Sequence, residues 1–491
     1  MRLPAYRSIY PIRLLTAAVL TAGSPPLLTE SANAAREVNL TAAALAVAGE
    51  PPGGLRGTIN LTKHALAIAE RRRGSNLALA ARLLETLGSL YETAGRDDEA
   101  ELAYLKALDI TGKALGPGHP FIIPIADRLS SLYQRQHRFQ EAEIEVKRWI
   151  SVSEANLPLE LGNLTMGLNN LAVLYRAQGE AGQAIALFER ALAIGGDAPG
   201  VSADQLGAIA HRLAGCQAEQ GRTADAEDNF KRALRAFEKA GGPGSTPVAA
   251  LLHDLALLYF GEGRYAEAEE AALRSLALMA PGNGRNPRDF FEALNTLAAI
   301  YSRQRRYLQA EPLLVRAVEF AGQSFPSSDP NLALASYQLA LIYEAQRRNP
   351  EAIVFFKRAL KAATKAAWPD SSWIAMAANH IALAYAEQGQ AAEAELLLKL
   401  AIELGGKSLG PDHPFVAAAL YNLAILYARQ NRFADAEPLL VRSLGIRLRQ
   451  FGPENPAVQE AQNALWRLHE ISPQPPKPRL RSSVHRITKS E

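Results

Sequence analysis

The side chains that most often perform chemistry are few in this chain and poorly placed for it. His211 and His253 lie 42 residues apart and could share a metal ion. No carboxylate or cysteine joins them at the spacing of a metal site, so we interpret them as polar residues of a helix surface. His119 and His413 are separated by seven times that interval, too far to share an ion. We therefore predict no bound metal.

Nucleophilic and phosphate-binding signatures are missing as well. The single cysteine, Cys216, stands in an apolar helical stretch, which favours a small core residue over a reactive thiol and excludes an intrachain disulfide. The sequence has neither a glycine-rich phosphate loop nor a His-Glu-x-x-His motif. These observations predict a protein that is not an enzyme and has no cofactor.

The strongest regularity is a tyrosine that recurs every 42 residues, with Gln217 at the one position that breaks the series. We call this position the mark of each repeat. The tyrosines are Tyr91, Tyr133, Tyr175, Tyr259, Tyr301, Tyr343, Tyr385 and Tyr427. A period of 20 to 50 residues is typical of stacked supersecondary units and not of a compact enzyme domain.

Other columns of the repeat define two antiparallel helices, A and B. Alanine stands nine residues after every mark. A leucine or isoleucine lies four residues before each mark, and a small residue lies three residues before it, as in Leu171-Ala172. Apolar residues three and four apart indicate one buried helix face. Glycine or asparagine four residues after most marks fits a left-handed residue that ends helix A. At His137, Arg305 and Arg347 we expect a strained or differently shaped turn.

These motifs resemble the tetratricopeptide repeat of the kinesin light chain type. The resemblance rests on the pattern Leu-small-x-x-Tyr, on helix starts such as Asn169-Asn170-Leu171-Ala172, and on links such as Leu409-Gly410-Pro411-Asp412-His413-Pro414. It covers residues 78–470 and implies an all-α fold, a right-handed α-solenoid of about nine tandem helical hairpins with degenerate capping units.

The ends extend the same period. Residues 35–77 align with a degenerate N-terminal capping repeat, and the array of residues 78–470 finishes in a closing helix that begins near Pro456. Trp466 stands in the column that is otherwise small, which we expect to be tolerated where no helix B follows. We predict that residues 471–491 form a disordered basic tail.

Residues 1–34 have the pattern of a signal peptide: three arginines, a short apolar run, and small residues before cleavage after Ala34. We expect a periplasmic or secreted protein; the alternative is a cytoplasmic protein with an alanine-rich leader. The apolar run is too short for a transmembrane segment. The chain has a net charge of +3, and its two ends carry a larger excess of basic residues. The array itself is slightly acidic, which argues against nucleic acid as a partner.

The resemblance implies that A helices line a concave groove, where polar side chains hold an extended peptide by its backbone. We read the columns six residues before and one and two residues after the mark. The candidates for partner binding are Asn169, Arg176, Arg135, Asn295, Arg303, Asn379, Glu344 and Arg429. The first three are predicted to form one pocket, and Asn295 with Arg303 another. The alternative is a solvated groove without a ligand.

The sequence thus predicts a non-catalytic scaffold or adaptor that binds a protein or extended peptide. Two alternatives stay open: a structural, self-assembling module, and a regulatory subunit of an enzyme complex. The oligomeric state is left open. Because Gln217 replaces the tyrosine in its repeat, we also predict a soft joint around residues 205–240.

Overall fold

The fold is a succession of helical hairpins. The computed structural model describes residues 54–71, 77–280, 286–326, 329–365 and 372–471, and these ranges contain helices and turns without a strand. The predicted signal peptide, the first part of the N-terminal cap and the basic tail lie outside the described residues. None of the described helices combines the length and the apolarity that a membrane span needs.

Nine hairpins lie between a first helix, α1 (Gly54–Arg71), and a last helix, α20 (Pro456–Ile471), in the part of the chain that the structure describes. The hairpins are α2 (Leu77–Thr93) with α3 (Asp97–Leu115), α4 (Ile122–Arg135) with α5 (Phe139–Ala155), α6 (Leu161–Ala177) with α7 (Ala181–Gly195), α8 (Ala203–Glu219) with α9 (Thr223–Gly241), α10 (Thr246–Gly261) with α11 (Tyr265–Leu278), α12 (Pro287–Arg303) with α13 (Tyr307–Ser324), α14 (Pro330–Ala345) with α15 (Asn349–Lys365), α16 (Ser372–Glu387) with α17 (Ala391–Ser408), and α18 (Pro414–Arg429) with α19 (Phe433–Phe451).

Small residues bring the two helices of each hairpin together. The alanine nine residues after the mark, from Ala100 to Ala436, is 0 % exposed in all nine hairpins. The small residue three before the mark is buried in helix A of every hairpin. Helix B can therefore approach closely, and these two columns form the contact that each repeat must reproduce.

The turn after helix A has one shape in all nine hairpins. The residue four after the mark has a positive φ, including His137, Arg305 and Arg347 at 59° to 61°. The next N–H donates to the carbonyl of the mark at 2.8–2.9 Å each time. Of the two alternatives expected at these three residues, the structure shows a strained turn and not a differently shaped one, because this hydrogen bond imposes the left-handed conformation whichever side chain is present. A non-glycine residue there carries backbone strain.

The chain divides into two contact units, up to Ala240 and from Gly241 onward. The first unit ends with the hairpin that carries Gln217. Within each unit successive A helices touch directly, as α4 does with α6 and α16 with α18. No two B helices in the described ranges contact each other to that extent. The A helices therefore form the inner layer of each unit.

Two single residues behave as the sequence predicts. Cys216 is 0 % exposed, and burial raises the pKa of its thiol, which fits a core residue. Trp466 on α20 is 69 % exposed, so its ring is not crowded by a following helix among the described residues.

Candidate binding surface

Helical geometry divides the inner face of each A helix into a centre and two flanks. At about 100° per residue, the positions nine and two before the mark lie at the centre. The positions six before and one after lie on one flank, and those five before and two after lie on the other. Each flank faces the neighbouring A helix, so the centre is the part that a ligand could reach most easily.

The positions one and two after the mark pair across neighbouring repeats, at a spacing of 43 residues. Arg135 donates to Glu92 and Arg176 donates to Glu219, both at 2.6 Å. The guanidinium of Arg303 lies 5.9 Å from the ring centroid of Phe260. Three of the predicted binding arginines are therefore engaged with an adjacent A helix.

The positions six and five before the mark form a second series of pairs with the same spacing. Arg212 donates to Asn169 at 3.1 Å, and Asn422 donates to Asn379 at 3.0 Å. Asn169 is 3 % exposed and Asn379 is 7 % exposed. Both predicted asparagines are thus enclosed between helices, where their carbonyl oxygens already accept a hydrogen bond.

The equivalent hydrogen bond does not form between α12 and α14, both of which the structure describes. Asn295 donates to the Phe291 carbonyl at 3.1 Å, but its own Oδ1 is buried without a partner. Gln338 stands 43 residues later, and its Oε1 is also buried without a partner. Two acceptor oxygens therefore lie where neighbouring repeats form a hydrogen bond. A buried acceptor without a donor lowers the stability of the fold.

The last two candidates differ from each other. Glu344 contacts His380 at 3.0 Å, and the His380 ring stacks on Phe356 with centroids 5.2 Å apart. Tyr337 borders this cluster, and burial raises its pKa to about 12. Arg429 is exposed and has no charged or hydrogen-bonding partner among the described residues.

The two predicted pockets do not form as such. Arg135 contacts the preceding repeat and Arg176 the following one, and no hydrogen bond joins either to Asn169 within the described ranges. Arg303 likewise contacts Phe260, not Asn295. The candidates are members of separate inter-repeat pairs.

An open polar cavity of about 330 Å³ lies in the first unit, and it is lined by Ser89, Glu92, Thr93, Asp97, Arg128 and Arg135. Its two carboxylates balance its two guanidinium groups. Nearby, burial raises the pKa of Glu85 and of Asp127. This mixture of charges selects neither an anion nor a cation. In the described part of the chain, no group of three or more His, Cys, Asp or Glu side chains could hold a metal ion.

Sequence reasoning missed a cluster that links consecutive hairpins. The Tyr133 hydroxyl donates to Glu101 at 3.0 Å, Arg138 donates to the same carboxylate at 2.8 Å, and the Arg138 guanidinium lies 4.3 Å from the tyrosine ring centroid. Burial and the Glu101 carboxylate raise the pKa of Tyr133 to about 12. The cluster recurs at Tyr301 and Tyr427. Arginine five residues and glutamate ten residues after most marks were the available signal.

Sequence reasoning also missed the centre of the inner face. The columns nine and two before the mark are seven residues apart, and they are partly or fully exposed along the A helices of the second unit. They could have been found by applying the helical angle to the 42-residue period.

Comparison with known proteins identifies the repeat. The family model described as Tetratricopeptide repeat matches residues 164–239, 205–280, 289–365 and 373–449, and a second model of that description matches residues 80–121. A protein described as kinesin light chain-related 3, from Arabidopsis thaliana, is 28 % identical over 116 residues, which are 23 % of this chain and 18 % of the relative. The match thus spans about a fifth of that relative's length.

Solved structures show similar architecture at low sequence identity. BtubC (BKLC) from P. vanneervenii is 21 % identical with a TM-score of 0.40, over 54 % of this chain and 93 % of that one. A signal transduction ATPase with a tetratricopeptide repeat sensor, from Pyrococcus horikoshii, is 15 % identical with a TM-score of 0.52, over 74 % and 55 %. The second likeness concerns the fold alone. Since the matched repeats extend over more than half of the chain, this protein belongs to the tetratricopeptide repeat family, and part of its array is similar to a kinesin light chain-related protein.

Proposed function

We propose that the chain is a non-catalytic scaffold that binds a partner protein, or an extended peptide segment of it, along the inner face of its A helices. The observation that carries the proposal is that most candidate side chains on the flanks of this face pair with a neighbouring A helix while its centre stays accessible. Side chains held by such pairs lose little freedom when a ligand binds, which favours binding. Repeat families use this face because it presents one continuous surface built from many helices.

We also propose that the partner is met outside the cytoplasm. The support is the signal-peptide pattern of residues 1–34. Fractionation of the native host would test the location: we expect the protein in the periplasmic or secreted fraction with Ala35 at its N-terminus. Recovery in the cytoplasm with an intact Met1 would contradict this part of the proposal.

Site-specific photocrosslinking tests the binding face. A benzoylphenylalanine placed at Ser131 or Ala428, on the inner face, is expected to form adducts with a partner in the native host. Matched positions on the outer side of B helices are Leu308 and Leu396, which are 84 % and 70 % exposed. We expect no adduct from these.

The pattern of adducts separates the proposal from its alternatives. Adducts only from Leu308 and Leu396 that contain a second copy of the chain would favour a self-assembling module. Adducts with one enzyme from all four positions would favour a regulatory subunit enclosed in a complex. Either pattern contradicts the proposed inner-face scaffold.

A further inference from the structure

The B helices of the last four hairpins, α13, α15, α17 and α19, carry only apolar residues at two positions, seven and eleven residues after the mark. Because they are four residues apart, the two positions share one helix face, opposite the buried alanine nine residues after the mark. All eight side chains are exposed. We call them the outer apolar row: Leu308, Pro312, Pro350, Val354, Ala392, Leu396, Ala434 and Pro438.

The row is not a requirement of the repeat. At one of the same two positions α3, α5, α9 and α11 carry a polar residue, and α7 carries only glycine and alanine; the polar residues are Asp98, Gln140, Asp228 and Glu270. The fold therefore accepts polar side chains here. In the row, Leu308, Val354 and Leu396 are instead 84 %, 61 % and 70 % exposed. A contiguous apolar surface of this kind is typical of a contact with another molecule.

Contacts between hairpins make the row continuous. Glu311 of α13 accepts a hydrogen bond from Arg348 at 2.9 Å, which holds the start of α15 beside α13. Pro312 follows Glu311 directly, and Pro350 lies two residues after Arg348, so these two members of the row lie close together. The equivalent contact joins α17 to α19 at 2.7 Å. The row thus passes from one B helix to the next.

Basic side chains border the row one and two turns further along the same helices, at the positions 14, 15 and 18 residues after the mark. Two acidic residues, Glu319 and Glu403, interrupt them, and Glu403 is paired with Lys407 at 2.6 Å. Earlier hairpins also carry basic residues at these positions, so the combination with the row is what distinguishes the last four. The basic border consists of the exposed residues Arg316, Lys357, Arg358, Lys361, Lys399 and Arg442.

An anionic lipid surface fits this combination better than a partner protein does. All eight members of the row are apolar, so the row offers a protein no side-chain hydrogen bond by which to recognise it. In the described ranges the B helices do not contact one another as the A helices do, so the outer face of the second unit is convex. A fluid bilayer adapts to a convex surface, takes up exposed apolar side chains and attracts lysine and arginine through its anionic headgroups.

We propose that the outer face of the second unit binds the surface of anionic lipid bilayers, with Leu308, Val354 and Leu396 inserted below the headgroups and the basic border against the phosphates. The binding is peripheral, since none of the described helices has the length and apolarity of a membrane span. The inference goes beyond the proposed function. It holds the scaffold at a membrane through its B helices while the A helices on the opposite side stay free for a partner.

Sedimentation with lipid vesicles tests the proposal with the full chain. The vesicles consist of phosphatidylcholine, either alone or with one third phosphatidylglycerol. We expect at least tenfold stronger partitioning to the anionic vesicles and a severalfold loss at high salt, because screening shortens the reach of the basic border. The variant L308S/V354S/L396S is expected to weaken partitioning to the anionic vesicles at least tenfold, since three apolar side chains no longer enter the bilayer.

The matched control is L102S/I144S, at the position eleven residues after the mark in α3 and α5, where both side chains are 58 % exposed. We expect it to change partitioning by less than twofold, because Asp98 and Gln140 interrupt the apolar surface there. Far-UV circular dichroism establishes that each variant is folded. Both ends of the chain are present in every protein, so their contribution cancels in the comparison.

A second pair of variants tests the basic border and decides the question if the triple serine variant does not fold. R358Q/R442Q is expected to weaken partitioning to the anionic vesicles severalfold and to leave partitioning to the neutral vesicles unchanged. Its control, K106Q/R232Q, removes two exposed basic residues at the same position of α3 and α9. We expect this control to change partitioning by less than twofold.

The outcomes separate this inference from the proposed function. If the row and border variants partition like the wild type, or if the wild type does not prefer anionic vesicles, the inference is overturned while the inner-face scaffold stands. A wild-type dimer in light scattering that becomes a monomer in L308S/V354S/L396S identifies a second copy as the occupant. A protein adduct from photocrosslinking at Leu308 or Leu396 identifies a partner protein. Either result overturns the lipid proposal.

Discussion

Replacing Glu395 by glutamine tests whether the tyrosine–glutamate–arginine cluster stabilises the junction between hairpins. The Glu395 carboxylate accepts hydrogen bonds from Lys399 at 2.7 Å, from Tyr427 at 2.8 Å and from Arg432 at 2.7 Å. The side chain of Glu395 is only 18 % exposed. Lys399, followed by Tyr427 and Arg432, lowers the pKa of Glu395 from 4.5 to about 2.

The size of the effect follows from that pKa. At ~1.4 kcal/mol per pKa unit, the shift corresponds to an upper bound of about 3 kcal/mol. Lys399 is 57 % exposed and Arg432 is 39 % exposed, so water screens both contacts. We therefore expect Glu395→Gln to destabilise the α16–α19 region by about 1–2 kcal/mol at pH 7. This is a 5- to 30-fold loss of hydrogen-exchange protection.

The pH dependence has a definite sign. A carboxyl whose pKa is lower in the folded than in the unfolded state adds stability above the unfolded value of 4.5, and this stability is lost as the pH falls toward the folded value of about 2. The difference between wild type and Glu395→Gln should thus be complete at pH 7 and shrink to less than half by about pH 3. Hydrogen exchange of the two proteins is compared at each pH, because intrinsic exchange rates then cancel.

Glu403→Gln is the matched control on the same helix. Its partner is Lys407, at 2.6 Å, and both side chains are more than 60 % exposed. An exposed pair of this kind contributes little, so we expect no measurable change in protection. The reasoning is refuted if the two variants behave alike at pH 7, or if the effect of Glu395→Gln does not diminish in acid.

Two backbone positions give further predictions, both measured by thermal unfolding. Gly88→Ala would place a Cβ 2.5 Å from the Tyr104 ring, which is 0 % exposed, and we expect a loss of about 1–3 kcal/mol. The control Gly112→Ala meets no atom within 4 Å and should stabilise the helix by about 0.5–1 kcal/mol; equal effects of the two would contradict the packing argument. Arg347→Gly should stabilise the protein by up to about 1 kcal/mol, because Arg347 holds a φ of 61° that glycine adopts without strain. A lower melting temperature would show that this turn is not strained.

The hairpins could be predicted from sequence because their internal contact repeats. Ala100 and its eight equivalents are fully buried in the same way, and a column of identical residues records a contact made nine times. The choice between a strained and a differently shaped turn at Arg347 could not be made from the sequence, since the controlling factor is a backbone hydrogen bond from Arg348 to Tyr343 and not a side chain.

The partners of the binding candidates could not be read from the 42-residue period. Arg176 pairs with Glu219 and Asn379 with Asn422, each at a spacing of 43 residues. The additional residue arises because opposite flanks of adjacent A helices face each other, and the positions one and two after the mark lie on opposite flanks. A column-by-column reading aligns residue 176 with 218 and therefore assigns the wrong neighbour.

The predicted soft joint at Gln217 depends on which member of the tyrosine–glutamate–arginine cluster is missing between consecutive hairpins. Gln217 is 2 % exposed, and its side-chain Oε1 accepts a hydrogen bond from Asn229 at 3.0 Å. The glutamate that the preceding hairpin would supply is replaced by Ile185, which is 4 % exposed. The junction of Tyr385 also lacks the glutamate, because Ile353 is buried in its place, but it keeps the tyrosine. Buried apolar residues often replace an ionic cluster without loss of stability. We therefore expect residues 205–240 to exchange about 5- to 30-fold faster than residues 372–408, owing to the lost ring and not to the lost carboxylate. Equal protection of residues 205–240 and their neighbours would refute the joint, while equally fast exchange in both hairpins would assign the effect to the missing glutamate.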